Sequence, residues 1–122
     1  MKKRFYVEAK SLKLSVNFFF NFTFDGLNSW LIKNDYLKIE KEFSKNTLGL
    51  YWTAYDKKED NIIYGVWIKN FDLSKDSLGL LVHELHHVVE RQSEEKGLSC
   101  METKAYLIEY YFKEVLKKFK FK

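Results

Sequence analysis

All three histidines of the chain fall within the five positions His83-Glu84-Leu85-His86-His87, preceded by Leu80-Leu81-Val82 and followed by Val88-Val89. Nothing else in the sequence constrains the fold as tightly. On a helix, residues four apart lie one above the other, so the rings of His83 and His87 can converge on one metal ion. Neutral imidazoles bind zinc at about 2.0–2.1 Å, and a catalytic site takes three protein ligands while leaving a fourth position for water. Glu84 follows His83 by about 100° of helix, at the edge of the metal-facing stripe. A carboxylate there is placed to act as general base toward water whose pKa the metal lowers to about 7.

The apolar flanks make a simply solvated surface helix a poor account of this segment. Histidines held among Leu and Val need partners, and a metal supplies them. His86 stands about 100° from His87 and points away from the ion, which suits a supporting polar role rather than ligation.

A third ligand is needed. Gly97 is a good C-terminal stop for the helix, and a second helix is expected from Ser99. Glu102, in the first turn of that helix, could reach back to the histidines, and the small Ala105 would let the two helices approach closely. Three rivals stand beside Glu102 as third ligand. Ser99 and Glu102 also spell a capping box, S-x-x-E, in which the glutamate bonds a backbone N–H instead. Glu90 lies one turn beyond His87, although three ligands on one straight helix surround an ion poorly. Cys100, the single cysteine, reads as a small residue at a helix start or as a thiolate ligand.

The segment from about Leu78 to Phe112 resembles the two-helix core of gluzincin metallopeptidases, where HExxH on one helix is completed by a Glu in an ExxA-type motif on the next. Its compact form, with Glu102-Thr103-Lys104-Ala105-Tyr106, is most similar to small phage-encoded and bacterial zincin-like proteins. The resemblance implies zinc held by His83, His87 and Glu102, with Glu84 as catalytic base. It also implies that the strand before the HExxH helix, Ile62 to Lys69, borders a cleft and pairs with extended substrate. Tyr106, one turn past Glu102, is the candidate oxyanion donor, with Tyr110 and Tyr64 behind it.

The remainder reads as mostly β. Leu12, Leu14, Val16, Phe18, Phe20, Phe22 and Phe24 recur with period two, predicting one strand that ends at Asp25-Gly26. A helix is expected between about Asn28 and Lys45, with Trp30, Leu31, Tyr36, Leu37 and Phe43 inward. The runs Leu48–Tyr55 and Ile62–Lys69, joined across Asp56–Asn61, predict a β-hairpin. The HExxH helix is expected to begin near Ser74.

A chain of 122 residues that is 46% hydrophobic and 18% aromatic can bury one sizeable core. One cysteine excludes an internal disulfide framework and favours a reducing compartment, while the charged N-terminal stretch is unlike a signal-peptide core. No stretch is long enough to span a membrane, so a cytoplasmic location, or a virion if phage-encoded, is expected. The net charge of +4 is modest and no nucleic-acid module is visible, which leaves nucleic acid an unlikely partner.

These readings together predict a single α+β domain over residues 1–122, a small antiparallel or mixed sheet packed on a two-helix zincin-like core. The expected function is a zinc-dependent peptidase of narrow range, acting on a protein or peptide. The alternative is a non-enzymatic phage structural or morphogenesis component whose zincin-like fold is stabilised by metal inside a larger assembly. A regulatory peptidase acting on a repressor-like partner is a third possibility.

Overall fold

The computed structural model describes residues 1–40, 47–56 and 61–119. Phe43, the Lys57–Asp60 part of the hairpin connection and Lys120–Lys122 lie outside these. Along the chain run β1 (Lys3–Ala9), a 3-10 turn at Lys10–Leu12, β2 (Leu14–Phe20), α1 (Phe24–Lys33), β3 (Gly49–Tyr55), β4 (Ile62–Ile68), α2 (Lys75–Lys96) and α3 (Met101–Lys118). The four strands form one mixed sheet in the order β1-β2-β4-β3. β1 with β2 and β3 with β4 are antiparallel, and the central β2–β4 seam is parallel.

Each strand sends alternate side chains to opposite faces, and here both faces are covered. On one, Val16, Phe18, Phe20, Tyr64, Val66 and Ile68 pack against Leu81, Leu85, Val88 and Val89 of α2 and Leu107, Tyr111 and Val115 of α3. On the other, Phe19, Trp52 and Trp67 pack against Leu27 and Leu31 of α1. The second face also accounts for Phe19, an apolar residue out of phase with Phe18 and Phe20: β2 is central and buried on both sides.

β2 stops at Phe20, earlier than the alternation of Phe22 and Phe24 predicts. Asn21 takes a left-handed conformation, φ 68°, and Thr23 then caps α1 by accepting the Gly26 N–H at 3.0 Å. Local capping chemistry overrides the apolar pattern, so Asp25 and Gly26 sit in a helical first turn rather than at a strand end. β1 is a strand that the sequence reading did not assign, although Phe5, Val7 and Ala9 alternate with the exposed Arg4, Tyr6 and Glu8 as a half-buried strand requires. Asn21 also fixes the approach to α2: its Oδ1 accepts the Phe71 N–H at 2.7 Å and its Nδ2 donates to the Phe71 carbonyl at 3.3 Å.

α2 begins and ends as its sequence dictates. Ser74 is the N-cap, accepting the Ser77 N–H at 3.2 Å, and Gly97 closes the helix in the left-handed conformation at φ 69°. α3 begins two residues later than expected, with Cys100 rather than Ser99 as its N-cap, so the Ser99–Glu102 capping box does not form. Among the described residues, no helix is long and apolar enough to cross a membrane.

Candidate metal centre

The histidine pair forms as the spacing demands. His83 Nε2 and His87 Nε2 stand 3.2 Å apart, with the rings edge to face at 4.7 Å between centroids. Two nitrogens at that separation, each about 2.05 Å from one ion, would subtend roughly 100°, close to a tetrahedral angle. The pair therefore fits zinc as a two-toothed ligand. Its setting differs from the expectation of an apolar surround. Leu81, Leu85, Val88 and Val89 face the core, whereas His83 and His87 lie on the opposite, solvent-exposed side of α2. His86 is exposed as well, its ring 5.9 Å from that of His87.

Glu84 is buried, 6% exposed, and its Oε1 accepts the Tyr51 backbone N–H at 2.9 Å. That contact identifies the strand beside the site. The Lys69 N–H donates to the Leu48 carbonyl and the Asp56 N–H to the Asn61 carbonyl. By the alternation of an antiparallel ladder, the even residues of β3 bond β4, and Gly49, Tyr51, Thr53 and Tyr55 turn their backbone groups outward. β3 is thus the edge strand flanking α2. β4, the strand expected to border the cleft, is instead buried between β2 and β3; the hairpin places its first strand, not its second, on the outside.

Between β3, β4 and α2 lies a polar cluster that sequence reasoning missed. Arg91 Nε and Glu95 Oε1 pair at 2.7 Å, and the Tyr64 hydroxyl donates to Glu95 Oε2. The Tyr51 hydroxyl is enclosed beside them. Burial pushes its pKa above the ordinary tyrosine value and the nearby Arg91 guanidinium pulls it back. The i, i+4 spacing of His83, His87, Arg91 and Glu95 was the available signal. Tyr64, committed to Glu95, is not offered to the histidines.

The second helix does not bring its candidates to the pair. Glu102 and Ala105 are both exposed, so Ala105 is not a close-packing contact between helices. Tyr106, 62% exposed, stacks on Tyr110 at 6.3 Å, and the Tyr110 hydroxyl donates to the Glu8 carbonyl at 2.7 Å. Both tyrosines therefore occupy the flank of α3 that faces β1. Glu90 is paired with Lys104 at 3.4 Å across the two helices. Cys100 is exposed, its thiol held below its ordinary pKa by the Thr103 backbone N–H and hydroxyl. Among the described residues, no three of the His, Cys, Asp and Glu side chains group closely enough to hold a metal ion. The donors in place fit zinc at two ligand positions and not at a third.

No family model, curated protein or solved structure matches this chain.

Proposed function

We propose that the chain is a zinc-dependent peptidase of narrow substrate range with a zincin-like arrangement, in which His83 and His87 hold the ion; the described residues assemble no third ligand beside them, and Glu102 is the candidate for that position. The observation that carries this reading is the 3.2 Å separation of the two Nε2 atoms on a helix whose intervening glutamate touches an edge strand. Bound zinc would polarise a scissile carbonyl and acidify water. Glu84 Oε1 is engaged by Tyr51, which leaves Oε2 as the atom to take and return a proton. The outward backbone groups of Gly49 and Thr53 and the Tyr51 carbonyl suit an extended peptide, held by main-chain hydrogen bonds alongside α2. Access along one strand edge accords with a narrow range.

A second reading, a metal-stabilised scaffold within a larger assembly, is favoured by one fact: Glu84 is buried and bonded to the sheet, as a purely structural clasp would be. Parallel peptide-library digests with zinc-loaded wild type and Glu84→Gln separate the two. Hydrolysis by wild type that falls by ~10²–10⁴-fold in the variant, with zinc retained, supports the peptidase. Zinc binding with equal or no cleavage by both supports the scaffold.

A further inference from the structure

The opposite edge of the sheet, β1, pairs with no further strand among the described residues and carries a self-complementary charge pattern. The Asn21 N–H donates to the Ile68 carbonyl, so the odd residues at this end of β2 direct their backbone groups to β4. Its even residues Leu14, Val16, Phe18 and Phe20 then bond β1 through Ala9, Val7, Phe5 and Lys3. Arg4, Tyr6 and Glu8 are left with backbone N–H and C=O groups pointing away from the sheet. The Glu8 carbonyl, reached by the Tyr110 hydroxyl, confirms this phase and keeps a second lone pair. A groove of about 580 Å³ runs along the edge, lined among others by Arg4, Tyr6, Glu8, Tyr110 and Lys118.

We propose that a second copy of this chain fills that groove, the two β1 strands pairing antiparallel about a two-fold axis at Tyr6 so that two four-stranded sheets become one. In this register three hydrogen-bonded pairs form: Arg4 opposite Glu8 of the second copy, Tyr6 opposite its own equivalent, and Glu8 opposite Arg4 of the second copy. Side chains opposite each other share a face, so the Arg4–Glu8 pair forms twice, once on each side of the axis. Tyr6, 55% exposed, gains an aromatic partner. The pairing is bounded where Lys2 would meet Lys10, a like-charge contact that sets its length. A foreign strand would have to supply the same spacing of opposite charge, whereas a second copy carries it already. Two strands, β2 and β4, separate this edge from β3, so the inference is independent of the metal centre.

Sedimentation velocity over a concentration series tests it. Wild type should pass reversibly from monomer to dimer. Glu8→Arg turns two attractive pairs repulsive and should weaken association by at least about tenfold. Arg4→Glu should do the same. An equimolar mixture of the two variants, each first shown to be folded by circular dichroism, should form a heterodimer that neither forms with itself. Tyr6→Pro removes an outward N–H without touching the β1–β2 ladder and should also yield monomer. A wild type that stays monomeric, a dimer indifferent to Glu8→Arg, or a mixture that fails to associate would overturn the proposal.

Discussion

The Glu84 carboxylate accepts the Tyr51 backbone N–H at 2.9 Å, which fastens the HExxH helix to the outer strand of the sheet. The residue that would move a proton is thus also one that holds the helix in place, and the two duties separate by mutation. Glu84→Gln keeps an acceptor oxygen for Tyr51 and should leave thermal stability close to wild type. Glu84→Ala leaves a half-buried N–H without its protein acceptor and should cost about 1 kcal/mol. Urea denaturation of the two variants side by side measures the difference; equal losses would mean that the contact does not bear on stability.

Removal of Glu102 isolates the third ligand. Glu102 is exposed and the Ser99 capping box is absent, so Glu102→Ala should change the stability of metal-free protein by no more than ~0.5 kcal/mol. Its zinc affinity should fall by orders of magnitude, because one of three protein ligands is gone. Cys100→Ser should keep the ion. Calorimetric titration with zinc decides it, and a Glu102→Ala protein that binds like wild type rules this ligand out. His83→Ala and His87→Ala should each abolish binding whatever the third ligand is.

At Gly65 the limit is packing. A Cβ there would lie 2.0 Å from Trp52 Cε2 and Cζ2, since the indole crosses flat over β4 from β3. Gly65→Ala should destabilise by about 1–3 kcal/mol through overpacking. The loss should shrink in a Trp52→Phe background, and a double-mutant cycle in urea reads the coupling directly.

Acid should loosen the start of α2. The Ser74 hydroxyl and backbone N–H and the Ser77 hydroxyl hold Asp72 below its ordinary carboxylate pKa. A depressed folded pKa stabilises the fold above the unfolded value and loses that contribution as pH falls through the folded value. The Asp72 share is therefore complete at neutral pH, begins to fall near the ordinary carboxylate pKa of about 3.9 and is gone only below the depressed folded value. Denaturation midpoints across the acid range should fall less steeply for Asp72→Asn than for wild type.

Where local chemistry and burial agree, residue order was a sufficient guide. Ser74, Gly97 and the HExxH spacing placed α2 and its histidine pair, and the runs Leu48–Tyr55 and Ile62–Lys69 on either side of a charged connection placed the hairpin. It misled where a pattern continued past its structural end, as Phe22 and Phe24 do beyond β2, because capping by Thr23 acts on three residues and periodicity averages over many. The β1 signal was there but short: the inward Val7 and Ala9 alternate with Arg4, Tyr6 and Glu8 over only a few residues. Which strand of the hairpin faces outward could not be read locally. That depends on β2 joining β4, a contact between distant segments. The disposition of Glu102 and Tyr106 depends likewise on the rotation of α3 against β1.

The parallel β2–β4 seam has a kinetic consequence. The β1–β2 and β3–β4 pairs and the α2–α3 hairpin each close over short stretches of chain, whereas Asn17 meets Gly65 and Phe20 meets Ile68 only after a long loop is brought together. Closing that loop costs chain entropy before any seam contact compensates for it. The local hairpins should gain protection first and the seam last, so pulse-labelled hydrogen exchange should find the amides of β2 that face β4 among the late ones. Until they close, the Phe18-Phe19-Phe20 run stands unpaired on one side, and refolding yield should fall with rising protein concentration.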